Sequence, residues 1–98
     1  MAITVSMWSG KSGEIKRFLA SFFRKEIKTE EEISRWIYVY NKPLEAIDII
    51  SALMDNIEKY NISMFIQIDR GDLHPINENN HNDIIKSIFQ LFHSKYII

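Results

Sequence analysis

The sequence predicts an α+β domain of two layers, in which a small mixed sheet of three to four strands is packed by three helices. Two patterns indicate this class. In two short segments apolar residues alternate with other residues, as on a strand with one buried side, and a third segment is rich in the β-branched and aromatic residues of strands. In three longer segments they recur at spacings of three and four, as on amphipathic helices. Their order along the chain is β-α-β-α-β-β-α, and two layers bury the apolar side of every element.

The first half of the chain provides two strands and two helices. Apolar positions alternate from Ile3 to Trp8, and a turn over residues 9–13 precedes a helix that Ser12 could cap. A β-branched and aromatic run, residues 33–40, predicts the second strand. Pro43 suits the first position of the second helix, whose apolar stripe is Ile47, Ile50, Met54 and Ile57.

The second half predicts a hairpin and a last helix. Residues 62–68 alternate strongly enough for a central strand, and Asp69-Arg70-Gly71-Asp72 is typical of a hairpin turn. A short returning strand could follow over residues 73–77, but proline has no N–H to donate, so Pro75 either lies at a sheet edge or ends the pairing. The third helix runs towards Lys95, with Asn80 or Asn82 as its cap.

Composition limits the classes of function. A chain of 98 residues forms one domain, residues 1–98, and 46% hydrophobic content is ordinary for a folded protein. The absence of cysteine excludes disulfides and thiolate metal sites. No apolar run approaches the ~18 residues of a membrane span. We therefore expect a cytoplasmic protein with no cofactor and no membrane partner.

The main predicted site is an aromatic sheet face. If the helices cover the side of Ile3, Val5 and Met7, the other side carries Thr4, Ser6 and Trp8. The smaller Ile37 and Val39 suit the helix-packed side, which leaves the larger rings on the open one. Exposed aromatic clusters mark interfaces. The predicted partner-binding residues are Trp8, Trp36, Tyr38, Tyr40 and Phe65.

Two other interpretations of that face stay open. A helix or the C-terminal segment 96–98 could cover it as a third layer. Bases of single-stranded RNA could stack on it, but no aromatic-glycine RNA-binding motif occurs and the net charge is −1. The basic stripe of Arg17, Arg24 and Lys28 is most simply a solvated helix face, with an acidic protein partner as its alternative.

The tripeptide Gly10-Lys11-Ser12 almost forms a phosphate-binding loop. A Walker A loop needs a glycine five positions before Gly10, where this chain has Val5. A weak anion or nucleotide contact remains an alternative, because the backbone N–H groups of residues 10–13 could face an anion at a helix start. Its residues would be Gly10, Lys11, Ser12 and Gly13.

Catalytic and metal patterns are sparse. His74 and His81, with Asp69 and Asp72 nearby in sequence, match no established ligand spacing. The serines lack a nucleophile elbow, and Glu30, Glu31 and Glu32 are consecutive, so they do not converge. The sequence therefore predicts a protein that is not an enzyme and binds no metal.

Three stretches resemble a group of small bacterial proteins of unknown function from clostridia and related Firmicutes. They are residues 8–19, 43–50 and 61–64, which read WSGKSGEIKRFL, PLEAIDII and NISM. This resemblance implies a stand-alone bacterial cytoplasmic protein and transfers no functional residue. The sequence as a whole predicts a non-enzymatic protein interaction domain that self-associates as a homodimer. An immunity or inhibitor-type protein that binds a toxin is the alternative.

Overall fold

The structure is a computed structural model that describes residues 2–27 and 34–96, with the backbone alone for 94–96. The predicted strand start at Ile33, the acidic run 30–32, Lys28 and the last two residues lie outside the described residues. The elements are β1 (Ile3–Trp8), α1 (Glu14–Phe23), β2 (Arg35–Tyr40), α2 (Pro43–Met54), a short 3-10 helix (Ile57–Lys59), β3 (Ser63–Ile68), β4 (His74–Ile76) and α3 (His81–Tyr96). The α+β class and the element order are confirmed.

The four strands form one sheet in the order β2-β1-β3-β4. Every described pairing is antiparallel, whereas the sequence predicted a mixed sheet. Since β2 and β3 both run against β1, they run in the same direction and the α2 connection crosses β1. The strand β4, with Pro75, lies at an edge, which is one of the two predicted alternatives.

The core lies between one side of the sheet and the helices. Ile3, Val5 and Met7 are at most 1% exposed, and α2 supplies the largest helical share of the core. Each fully buried Leu or Ile side chain contributes about 1.5–3 kcal/mol. The predicted stripe on α2 is confirmed at its first three positions and is wider than predicted, since these residues are also buried: Ala46, Ile49 and Leu53.

The predicted first residue of α2 is confirmed, whereas the predicted cap of α1 is not. Pro43 occupies the beginning of α2. Gly13, not Ser12, is the residue that caps α1, and no side chain donates or accepts there. Gly13 has a φ of 81°, a left-handed conformation that glycine adopts without steric cost. The predicted Ser12 cap is therefore wrong.

The turn between β3 and β4 is the predicted hairpin. The Gly71 N–H donates to the carbonyl of Ile68 at 3.0 Å, and Asp69 has a φ of 50°. A Cβ at Gly71 would lie 3.1 Å from that same carbonyl oxygen, so a larger residue would crowd the turn. Asn80 precedes α3, and its side chain accepts from the Asn77 N–H at 2.8 Å and donates to the Pro75 carbonyl at 2.9 Å.

Candidate functional site

The structure divides the five predicted partner-binding residues between the two sides of the sheet. Directly opposed residues in antiparallel strands point to the same side. Tyr38 is opposite Val5, and the two neighbouring pairs on that side are Trp36 with Met7 and Tyr40 with Ile3. The rings of β2 therefore lie on the helix-packed side.

Trp8 and Phe65 lie on the other side of the sheet. Phe65 is opposite Ser6, and Trp8 is opposite Ser63 on β3. The prediction that all five residues share an open face is wrong. The reason is the sequence of β2, RWIYVY, which has apolar residues at both alternations from Trp36 onward, so the pattern alone does not show which set faces the helices.

The open side of the sheet is nonetheless apolar near β2. Ile37 is 54% exposed, Val39 51% and Trp8 47%. Ser6 is buried between its opposed neighbours Ile37 and Phe65. The Arg35 guanidinium lies over the Trp8 ring, 5.3 Å from its centroid. The exposed fractions show that this part of the face is open to solvent, and β2 contributes aliphatic residues to it where aromatic ones were predicted.

The two edges of the sheet differ in how they are protected. The strand β4 has three residues, one of them proline, and such strands are poor templates for further pairing. The strand β2 has six residues and no proline. Apart from its pairing with β1, the backbone of β2 makes no hydrogen bond to any other described residue. Within residues 2–27 and 34–96, only β1 pairs with β2, so no described strand covers its outer edge.

A hollow of about 340 Å³ lies on the helix-packed side, where β2 meets the end of α1 and the start of α2. Four rings and two carboxylates line it: Phe22, Phe23, Tyr38, Tyr40, Glu45 and Asp48. Tyr38 stacks on Trp36 with ring centroids 5.8 Å apart and planes 10° from parallel. Tyr40 is tilted against Tyr38 at 4.8 Å, so three rings form a continuous row along β2.

Two acidic side chains, Glu45 and Asp48, line this hollow. Glu45 and Asp48 are exposed and form no ion pair with any residue the structure describes. Burial raises the pKa of Tyr40 to about 12, and the neighbouring Tyr38 and Glu45 add to the rise. The Tyr40 phenol therefore stays neutral at physiological pH. The Lys25 ammonium is 6.0 Å from the centroid of Phe23.

The sequence analysis missed this hollow. Its lining residues come from three elements that are separated along the chain, and none follows a motif. One signal was present: Phe23 is adjacent to Phe22 yet falls outside the apolar stripe of α1, and it is 46% exposed. A large ring on the wet side of a helix indicates a surface with a further contact.

The loop of residues 10–13 is held by contacts within the chain. The Ser9 hydroxyl donates to the Asn61 carbonyl, and the Lys11 N–H donates to that hydroxyl at 3.2 Å. The Glu14 carboxylate lies at the start of α1, where an anion would have to approach. This carboxylate would repel a bound anion, so the structure supports the predicted anion contact at residues 10–13 less than the sequence did.

Arg17 belongs to an internal contact and is not a fully solvated cation. Its guanidinium bonds Glu14 at 2.9 Å and the Lys59 carbonyl, and it lies over the Tyr60 ring at 4.5 Å. The Glu14 carboxylate also accepts the Asn61 N–H at 3.1 Å. Hydrogen bonding to Arg17, and then to Asn61, holds the pKa of Glu14 below its ordinary value. This contact ties α1 to the segment that enters β3.

The four residues considered as metal ligands do not form a metal site in the structure. In residues 2–27 and 34–96, no group of three or more His, Cys, Asp or Glu side chains could hold a metal ion. Asp72 and His74 instead line a shallow hollow with apolar residues of β3 and α3. Within the same ranges, none of the helices has the length and apolar character that crossing a bilayer requires.

Comparisons with protein-family models, with curated proteins and with solved structures found no match for this chain.

Proposed function

We propose that this chain is a protein interaction domain rather than an enzyme, and that it self-associates through β2. The five residues of the predicted aromatic face lie on both sides of the sheet, so a different observation supports self-association. That observation is the outer edge of β2, which no described residue pairs with, and the large side chains about half exposed on both of its sides: Ile37, Tyr38 and Val39.

The exposed edge favours a second strand as its partner. Unpaired backbone N–H and C=O groups bind best to the complementary row on another extended chain. Two copies of β2 can pair antiparallel about a two-fold axis, which is the commonest symmetry of homodimers. Such pairing would extend two four-stranded sheets into one of eight strands.

The side chains around the edge support the same partner. Ile37 and Val39 lie on one side of β2 and Tyr38 on the other, so pairing would cover apolar surface above and below the new ladder. Burying such surface is favourable at about 25 cal/mol per Å². The other edge, at β4, offers neither the length nor the exposed row.

The test is the mass of the protein in solution across a wide concentration range. We expect the wild type to reach twice its chain mass of 11.6 kDa in multi-angle light scattering. Val39→Lys should weaken the dimer by about tenfold or more, because lysine on an edge strand is a common protection against pairing. Leu73→Lys is the matched control, since Leu73 is 53% exposed and lies in the turn before β4.

A wild type that stays monomeric at every concentration would overturn the proposal. So would equal dimerisation of the wild type and the Val39→Lys variant, because the contact would then lie elsewhere. Loss of the dimer in both lysine variants would indicate a general effect of charge and would also count against β2.

A further inference from the structure

We propose that the hollow between β2, the end of α1 and the start of α2 binds an organic cation, either an alkylammonium or a guanidinium group. This goes beyond self-association, because it concerns the helix-packed side of the sheet and a ligand of a different kind. The proposal rests on three features of the hollow: its rings, its charge and its size.

The rings provide the faces that a cation prefers. Tyr38 and Phe23 are 53% and 46% exposed, so both rings are accessible from solvent. Phe22 and Tyr40 complete the lining from α1 and β2. Aromatic faces carry negative potential, and several of them around one position attract cations that are weakly hydrated. The row from Trp36 to Tyr40 also holds Tyr38 in place, since each ring contacts the next.

The carboxylates supply a charge that no residue in the described ranges neutralises. Glu45 and Asp48 lie three positions apart on α2, and residues at this spacing share one side of a helix. Neither carboxylate has an ion-pair partner among the described residues. A cation in the hollow would therefore meet ring faces and acidic groups together, whereas an anion would be repelled.

The Lys25 ammonium lies 6.0 Å from the centroid of Phe23. That distance is at the outer limit of a cation–π contact, and Lys25 is not among the residues that line the hollow. An ammonium group of the chain itself therefore approaches the Phe23 ring from outside the residues that line the hollow.

The size of the hollow limits the ligand. A volume of about 340 Å³ is at the lower end of the ~300–1,000 Å³ range of small-molecule sites. A single cationic head group fits within this volume. The same chemistry is available from a free small cation and from an arginine or lysine side chain of a peptide.

The experiment is a titration followed by two-dimensional NMR at constant ionic strength. The probe is choline, and its neutral isostere 3,3-dimethylbutan-1-ol is the control for shape. We expect saturable shifts at the backbone amides of Tyr38, Tyr40, Glu45 and Asp48 with choline, and binding at least about tenfold weaker with the isostere. A short peptide with a single arginine, titrated in parallel, shows by its relative affinity which source of cation the site prefers.

Matched variants measure separately what the carboxylates and the rings contribute to choline affinity. The Glu45→Gln, Asp48→Asn double variant should lose about tenfold or more in choline affinity, whereas Glu58→Gln, at an exposed carboxylate outside the hollow, should not. Tyr38→Leu should also lose affinity, and Tyr38→Phe should retain it because the ring face remains. Phe89→Leu is the ring control, on α3 and 47% exposed.

Equal binding of choline and its isostere would overturn the proposal, because the hollow would then be only apolar. The absence of any saturable shift would also overturn it, as would equal losses in the Glu58→Gln and Glu45→Gln, Asp48→Asn variants. Val39→Lys should bind choline at least as well as the wild type, since Val39 points to the opposite side of the sheet and no second copy would cover Tyr38 in this variant. Failure of the self-association proposal would therefore leave this one standing, and the reverse also holds.

Discussion

Glu14 shows how one residue can serve both a helix start and a long-range contact. α1 begins without a side-chain cap, and the Glu14 carboxylate lies in its first turn, where negative charge is stabilised by the helix dipole. The same carboxylate accepts from Arg17 within the helix and from Asn61 just before β3. It is 7% exposed, so removing its partners would leave a poorly solvated charge.

Replacing this carboxylate should change the pH dependence of stability. The folded pKa of Glu14 is lowered by Arg17 and Asn61, so its contribution is present above the unfolded value and is lost as pH falls through the folded one. We expect Glu14→Gln to be less stable than the wild type near pH 7. The difference should shrink between about pH 5 and pH 3, measured by urea unfolding at each pH.

Glu58→Gln is the control for that experiment. Glu58 is exposed and has no ion-pair partner among the described residues, so its replacement should change stability little at any pH. A Glu14→Gln variant whose deficit stayed constant down to pH 3 would show that the amide packs poorly, and that the charge contributes nothing.

Helix α2 has one buried and one exposed leucine, so the contribution of its buried side to the free energy of unfolding can be measured directly. Leu53 is fully buried, whereas Leu44 is 53% exposed. We expect Leu53→Ala to lower the free energy of unfolding by about 2–5 kcal/mol, because it removes buried methyl groups and leaves a cavity. Leu44→Ala should change it by less than about 0.5 kcal/mol.

The pair is matched because both changes replace leucine by alanine within one helix, so the gain in helix propensity is similar. Urea unfolding with equal m-values in all three proteins is the measurement. Equal losses at the two positions would contradict the assignment of the buried side of α2.

The strands show what could be predicted from sequence and what could not. In β1 and β3, polar residues such as Thr4, Ser6 and Ser63 mark the side away from the helices, and the predicted sides are confirmed. In β2, Trp36, Tyr38 and Tyr40 alternate with Ile37 and Val39, and neither set is polar. Which of the two sets faces the helices depends on how β2 pairs with β1, and the sequence pattern of β2 carries no information about that pairing.

The prediction that Ile37 and Val39 face the helices because they are smaller than the rings was also wrong, for a physical reason. Small β-branched residues suit a packed layer when a strand is central and both neighbours restrict space. The strand β2 is at an edge, where large rings can pack partly on the helices and extend partly into solvent. Tyr40 is 7% exposed and Tyr38 is 53% exposed, although both lie on the same side.

Across the molecule, β1 is the element on which the others depend. It pairs with β2 along its whole length on one edge and with β3 on the other, and its inward side chains are at most 1% exposed. The outer strands β2 and β4 each pair with only one neighbour. Stability should therefore fall from the centre of the sheet to its edges.

Hydrogen exchange should display this gradient. In the Val39→Lys variant, kept dilute so that it is monomeric, we expect the amides of β1 and β3 to exchange most slowly, at the rate of global unfolding. Hydrogen-bonded amides of β2 should exchange roughly tenfold faster or more, because an edge strand can detach while the centre remains folded. Equal protection in β1 and β2 would contradict this view, since it would mean that the sheet opens only as a whole. In wild-type protein at high concentration, slower exchange in β2 than in the variant would place the contact between copies at this edge.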